Sequence, residues 1–331
     1  MFVGRTWALG RLPTVDKVWK AGSVAALDPH AKADPVGTAK PSPGIIRSYI
    51  ALTKPRIIEL LLVTTVPTMI LAAGGWPAIG TMIAVIVGGA LAAGGASTFN
   101  SVYDRDIDRH MTRTAHRPVA SGVISARAGL IFGSVLSIAS VVILGVFTNV
   151  LAAALAVVAI FAYSVGYTIW LKRRTAQNIV WGGAAGCMPV LIGWAAVTGS
   201  LTWTPVVLFL IVFWWTPPHY WPLSLRYRDD YAAAGVPMLP VIAAPGTVMK
   251  HIAVYSVLMV VTSWALIPLA PMGWVYGVTA GVLGVLFLAE VVRLGLQVRA
   301  GVADPAPMRL FHGSITYLSL LFLAVAVDPF V

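Results

Sequence analysis

The chain has 331 residues, 58% of them hydrophobic and 11% charged, with a mean hydropathy of +0.85. So few ionisable side chains cannot cover a water-soluble globule of this length, which excludes a soluble enzyme and favours one bundle of membrane-spanning segments. The formal charge of +11 acquires meaning only from where the charges fall, and their placement points to a bilayer and to no nucleic-acid partner.

In chain order, residues 1–43 hold Pro, Gly and scattered charges without a long apolar core. This composition predicts a disordered cytoplasmic tail rather than a cleaved secretory signal. Arg5 and Arg11 would suit an organelle transit peptide, but Asp16 and the scarcity of Ser do not. Nine apolar stretches then follow, at about 57–75, 80–102, 124–145, 149–170, 178–197, 203–222, 251–270, 273–294 and 310–328. In lipid such spans are helical, because hydrocarbon offers the backbone no hydrogen-bond partner, and no alternating barrel pattern is present. The predicted class is all-α, polytopic, with one membrane domain over 44–331. The lone Cys187 excludes a disulfide framework or a cysteine metal site.

All 23 Lys and Arg fall on one side of these nine spans: nine before or at the start of span one, five after span two, and three after each of spans four, six and eight. The other connections are short and uncharged, and the positive-inside rule then predicts a cytoplasmic N-terminus and an external C-terminus. Trp76, Trp203 and Trp274 beside the uncharged turns fit an interfacial aromatic belt.

Five of the twelve acidic residues sit in two of the basic loops: Asp104, Asp106 and Asp108 after span two, and Asp229 and Asp230 after span six. Asn100, Asp104 and Asp108 are spaced i, i+4, i+8. If the helix of span two continues through them they drift only about 40° per step and share a face. Three hard oxygen donors on one face suit magnesium, which keeps waters and takes carboxylates together with substrate phosphates. The competing reading, aspartates solvated among five arginines, is weakened by their start at a helix end, their spaced amide companion and the arginines that follow.

The pattern Asn-x-x-x-Asp-x-x-x-Asp after a second span resembles the first motif of the intramembrane aromatic prenyltransferase superfamily (UbiA-type). Three stretches resemble its haem O synthase branch, the protohaem IX farnesyltransferases: Asp104 to Pro118, Tyr163 to Gly183 and Trp215 to Pro240. The resemblance covers about residues 45–328. It implies nine helices around a central cavity capped by the two Asp loops, with magnesium holding a prenyl diphosphate. It further implies transfer of farnesyl from farnesyl diphosphate to a vinyl group of haem b, with water addition, giving haem O. Asn100, Asp104 and Asp108 would form the first diphosphate and magnesium site, and Asp229 and Asp230 the second. The second motif departs from Asp-x-x-x-Asp, because Leu225 and Arg226 stand four places before Asp229 and Asp230. A bacterial inner membrane is the expected location, ahead of a mitochondrial one, and a haem A synthase or an oxidase assembly protein is an expected partner.

Breaking an allylic C–O bond builds negative charge on diphosphate and positive charge on carbon. Arg113, Arg117, Lys172, Arg173, Arg226 and Arg228 can clamp the anion, with Lys172 and Arg173 the preferred pair, although each also suits a topogenic charge. Tyr163 and Tyr167 are the candidate aromatic walls for the cation. His219, flanked by Pro217, Pro218 and Tyr220, could ligate haem iron, contact diphosphate or satisfy backbone freed by the prolines. Asn178 is a candidate cavity amide at the start of span five. Two other readings compete: prenyl transfer to a quinone precursor or other aromatic acceptor, and a secondary transporter. A transporter should carry its polar groups at mid-bilayer, whereas these acids cluster at one interface.

Overall fold

The computed structural model describes residues 44–302 and 305–331, so the predicted tail over 1–43 lies outside the described residues. Among these residues every regular element is helical. A short helix α1 (Ile45–Thr53) leads into α2 (Pro55–Ala73), the pair bent by 50°. The bend falls at Lys54, whose φ of 54° is left-handed. Pro55 drives its predecessor out of the right-handed helical region, and a single left-handed residue is enough to end α1.

Next come α3 (Ile79–Tyr103), the short α4 (Arg105–His110), α5 (Ala126–Phe147) and α6 (Val150–Phe161). The last continues without a break into a π-helix over Ala162–Leu171. Then follow α7 (Asn178–Thr198), α8 (Trp203–Arg226), the short α9 (Arg228–Ala233) and α10 (Leu239–Ile242), and finally α11 (Pro245–Leu269), α12 (Trp274–Arg299) and α13 (Pro307–Val327).

Seven of the described helical segments are long and apolar enough to cross a bilayer, and the bent α1–α2 pair makes an eighth. The remaining predicted span, the sixth (203–222), is α8; it is 24 residues long, but its second half runs Trp214-Trp215-Thr216-Pro217-Pro218-His219-Tyr220-Trp221 and it is not among them. Its neighbours explain why a helix of that composition is tolerated: α8 packs against α7, α11 and α13. Partners in those helices, rather than lipid, meet its polar groups, with Trp215 Nε1 donating to Ser314 O at 2.7 Å.

The most extensive helix pair is α3 with α5, and small residues make it so. A Cβ on Gly95 would lie 2.9 Å from Gly133 O, and Ser140 Oγ donates to Gly88 O at 2.6 Å. At the end without Lys or Arg, Asp328 caps α12, accepting from Tyr276 N at 2.9 Å and from Gly273 N, while Trp76 meets Phe330 with ring centroids 5.8 Å apart. These ties fix the bundle at the end opposite the acidic loops.

Gly95→Ala puts a methyl group against a backbone carbonyl that cannot rotate away, and should cost about 1–3 kcal/mol. Gly80→Ala, where nothing lies within 4 Å, should be neutral or slightly stabilising. Thermal unfolding of the two purified variants checks this; equal melting would mean that α3 and α5 do not approach so closely.

Candidate active site

The first acidic motif starts inside α3. Asn100 lies in the last turn of that helix, Asp104 joins α3 to α4, and Asp108 lies within α4. Helical bonding runs through the junction, with Asp104 N to Asn100 O at 2.9 Å and Asp108 N to Asp104 O at 2.8 Å. The predicted shared face follows. The three side chains are sealed from solvent: Asn100 is 3% exposed, Asp104 0% and Asp108 1%.

Each buried acid has found cations. Lys172 Nζ sits on Asp104 Oδ2, and Arg173 Nη2 stands 3.6 Å from Asp104 Oδ1. Arg117 Nη1 donates to both oxygens of Asp108, at 2.9 and 2.8 Å. Asn100 is oriented by its neighbours. Lys54 Nζ, which can only donate, holds Oδ1 at 2.8 Å, while the amide nitrogen donates to Asp104 Oδ2 at 2.8 Å and to Thr168 Oγ1 at 3.1 Å. Asp106 lies outside this shell, forked by Arg173 at 2.8 and 2.7 Å. That hydrogen bond pulls its carboxyl down to about 2 and holds the Arg173 guanidinium above its ordinary value.

Four basic side chains, Lys54, Arg117, Lys172 and Arg173, therefore gather around three carboxylates, Lys54 through the Asn100 amide. Among the described residues no three His, Cys, Asp or Glu side chains converge to make a metal site. The donor set is nevertheless all oxygen, and Asp104 Oδ1 is buried with no hydrogen-bond partner. A hard divalent cation fits such an orphaned carboxylate oxygen.

The π-helix supplies the opposite wall. Its i→i+5 bonding shows in Lys172 N to Tyr167 O at 2.9 Å, and the Thr168 hydroxyl donates to the Tyr163 carbonyl at 2.8 Å. On an α-helix the nine steps from Tyr163 to Lys172 would turn them to opposite faces, about 180° apart. The wider helix instead puts Tyr163, Thr168 and Lys172 on the side of Asn100 and Asp104. The rings of Tyr163 and Tyr167 lie 5.4 Å apart. Beneath Tyr163 an apolar cavity of about 110 Å³ runs between α2, α3, α6 and α7, past Leu61, Ala93, Ala159 and Ile192. Tyr167 owes its place to Gly182, where a Cβ would sit 2.1 Å from Tyr167 Cδ2.

The second acidic loop folds onto the first. Ile107 and Met111 pack with Ile179, Tyr231, Val236 and Met238, and Thr112 Oγ1 donates to Asp230 Oδ2 at 2.6 Å. Arg113 Nη2 reaches Tyr231 Oη at 3.3 Å, Tyr231 meets Tyr220 at 2.8 Å, and burial pushes the Tyr231 phenol up. Of Asp229 and Asp230, the geometry therefore favours one. Asp230 faces the first loop, whereas Asp229 and Arg226 are exposed and make no hydrogen bond or ion pair among the described residues.

Residues 61–315, well over half of the chain, match the UbiA prenyltransferase family. The chain belongs to that family. A protoheme IX farnesyltransferase of Kineococcus radiotolerans is 57% identical over 298 residues, covering 86% of this chain and 88% of the relative. One of Clavibacter sepedonicus is 54% identical over 306 residues, covering 92% and 98%. Among solved structures, a digeranylgeranylglyceryl phosphate synthase superposes with a TM-score of 0.70 at 18% identity, over 86% of this chain and 98% of the other. An Archaeoglobus fulgidus UbiA homologue bound to GPP and Mg2+ gives 0.57 at 17%, over 85% and 100%. At such identities the structures establish the shared fold.

In this UbiA prenyltransferase two candidates stand apart from the acidic cluster. His219 is stacked between Trp215 (centroids 4.1 Å) and Phe311 (4.6 Å), with Nδ1 2.7 Å from Ser314 Oγ. Its partner is a hydroxyl on α13, and it touches none of the acids. Asn178 donates to Thr175 O at 2.7 Å and leaves Oδ1 buried and unpartnered. Conversely, sequence reasoning missed Lys54, counted only as a loop charge, as well as Thr168, Thr112 and Tyr231. The Lys-Pro pair was the available signal for Lys54, since it ends a helix and turns that residue's side chain toward a neighbouring span.

Gly182→Ala should drive Tyr167 off its seat and lower prenyl-transfer turnover by about tenfold, because a small misplacement at a reacting site is costly. Gly246→Ala, with nothing within 4 Å, should retain full turnover. Equal rates in both variants would show that the Tyr167 ring position does not matter.

Proposed function

We propose that this chain transfers the farnesyl group of farnesyl diphosphate to a vinyl group of haem b, yielding haem O, with magnesium as cofactor. The observation that carries the reading is the pair of sealed carboxylates, Asp104 and Asp108, set among four basic side chains, with an apolar cavity that Ser97 and Tyr163 help to line in the same helices. Relatives at 57% and 54% identity that bear the name protoheme IX farnesyltransferase support the acceptor. The fold neighbour bound to GPP and Mg2+ supports the donor class and the metal.

Asn100, Asp104 and Asp108 would hold magnesium, which supplies positive charge to the departing diphosphate. Asp230, tied to the first loop through Thr112, is the better placed of the second pair to contribute a further ligand. When the diphosphate arrives, Lys172, Arg117, Arg173 and Lys54 can turn from carboxylate to phosphate oxygens without leaving the cluster. The allylic C–O bond breaks and its electron pair leaves with diphosphate. The farnesyl carbon then takes the π electrons of the vinyl group, and water captures the resulting cation next to the ring, losing a proton to become the hydroxyl. Tyr163 and Tyr167 face the positive carbon with their rings, and the apolar walls keep bulk water from reaching it first.

We place the acidic end at the cytoplasmic face of a bacterial inner membrane, on the one-sided distribution of Lys and Arg, with residues 44–331 as a single membrane domain. A magnesium-dependent assay with haem b and labelled farnesyl diphosphate tests the function. Asp104→Ala and Asp108→Ala should each lose about 10²-fold or more in turnover, the range for removing one preorganised charge-stabilising group. Lys54→Met should lose about tenfold, the worth of one hydrogen bond to a charged group. Normal turnover by both Asp variants would reject the site, and no farnesylated haem from the intact protein would reject the function.

A further inference from the structure

The apolar cavity beneath the acidic cluster has a direction and an end. Going down α3 from Asn100, in a step of three and then steps of four residues, come Ser97, Ala93, Gly89 and Val85, and all four line the cavity. The helix face that carries Asn100 therefore continues toward mid-bilayer as one cavity wall. From α7, Gly186, Pro189 and Ile192 add to the lining. Gly89 and Gly186 border open space, since a Cβ on either would meet nothing within 4 Å. Below them Val85 and Ile192 are buried in one core cluster with Met69 and Leu144, and that cluster closes the cavity.

The helical rise turns these positions into depths. Val85 lies about 22 Å along α3 from Asn100, and Ile192 about 21 Å along α7 from Asn178, whose neighbour Ile179 packs with Ile107 of the first acidic loop. Two helices running in opposite directions thus end the cavity at one level. From Ser97 to Val85 the wall measures about 18 Å, with Gly89 about 6 Å above Val85 and Gly186 about 9 Å above Ile192. An extended farnesyl chain is about 14 Å from its first main-chain carbon to its last, for zigzag bonds of about 1.5 Å, and each further isoprene unit adds about 5 Å. With its first carbon at Ser97, under the acids, the chain ends about 4 Å short of Val85, which is apolar contact. Its third isoprene unit lies beside the two glycines, and a fourth would collide with the floor.

We propose that Val85 and Ile192 set the length of the transferred chain, and that Gly89 and Gly186 leave the space its third isoprene unit fills. This rests on the haem-farnesylating reading above. Geranyl, farnesyl and geranylgeranyl diphosphate, compared as donors to haem b by kcat/KM on the full chain in nanodiscs, provide the test. Gly89→Val and Gly186→Val should each lower farnesyl transfer about tenfold or more and keep geranyl transfer within about twofold, the discrimination that a few blocked carbon positions give in an apolar pocket. Retained geranyl transfer also shows that these variants fold. Val85→Ala combined with Ile192→Ala lowers the floor and should raise geranylgeranyl transfer relative to farnesyl about tenfold. The parent's donor preference in both glycine variants, or an equal loss with geranyl and farnesyl donors in variants that melt like the parent, overturns the proposal. If a valine variant melts early, Gly89→Ala takes its place, and its smaller group should shift the same ratio in the same direction; an unshifted ratio there also overturns it. A parent that prenylates haem from none of the three donors sinks the function. A parent that farnesylates haem while the glycine variants keep its donor ratio sinks the length rule alone.

Discussion

Two carboxylates without solvent at the end of an apolar helix are the constraint around which this molecule is arranged. An ionised carboxylate out of water costs several kcal/mol unless charges and hydrogen bonds replace its hydration. Asp104 and Asp108 meet that demand with partners from separate parts of the chain: Lys172 and Arg173 beyond the π-helix, Arg117 in the loop after α4, and Lys54 acting through Asn100. Each partner needs a local irregularity to arrive. Lys54 needs its left-handed turn, Lys172 needs a helix wound wider than α, and Arg117 needs a loop held by Thr114 Oγ1 on Asp108 O at 3.1 Å and Arg109 Nε on Ala120 O at 2.8 Å. The unusual backbone lies where the charge is.

That dependence sets how much could be read from the sequence. The spans were legible because a bilayer admits one solution to backbone bonding, so apolar length alone locates helices to within several residues, and α7 begins at residue 178 as expected. The i, i+4, i+8 motif was legible for a related reason: helical periodicity persists through Asp104, and a face can be computed. The π-helix was not, because an apolar pattern of period 3.6 says nothing about a local change to i→i+5 bonding. Lys54 was hidden differently. As one of nine basic residues before or in the first span it counted toward orientation, and only the fold shows that its ammonium group reaches a side chain 46 residues away. The second acidic pair was half legible. Its loop was found, but two neighbours on a helix point about 100° apart, and packing against the first loop distinguishes them.

The π-helix also shows why prolonged irregularity can persist in a lipid-facing segment. Wide helices are normally single-turn insertions. Here ten residues keep that form, with Thr168 bonded both to Asn100 and back to Tyr163 O. Tyr167 packs on Gly182, where a Cβ would lie 2.1 Å from its ring. Neighbouring spans therefore over-determine the segment from two sides, and its own weaker helical bonding is not asked to hold it.

A topogenic charge and a catalytic charge have been treated as rival readings of the same lysines and arginines, yet the geometry makes them compatible. Orientation requires cations on one face of the membrane, and a diphosphate-cleaving site requires cations wherever its substrate's charged head remains in the interface. An amphiphile whose tail must stay in hydrocarbon and whose head must stay near water confines the second requirement to that same face. Arg117 and Lys172 are already paired with carboxylates, and Lys54 is hydrogen-bonded to the Asn100 amide, so all three are held at that face by partners of the acidic cluster. On this account the one-sidedness of the charge follows from the reaction as much as from insertion. A transporter of similar length would have no cause to leave its mid-bilayer so free of acids.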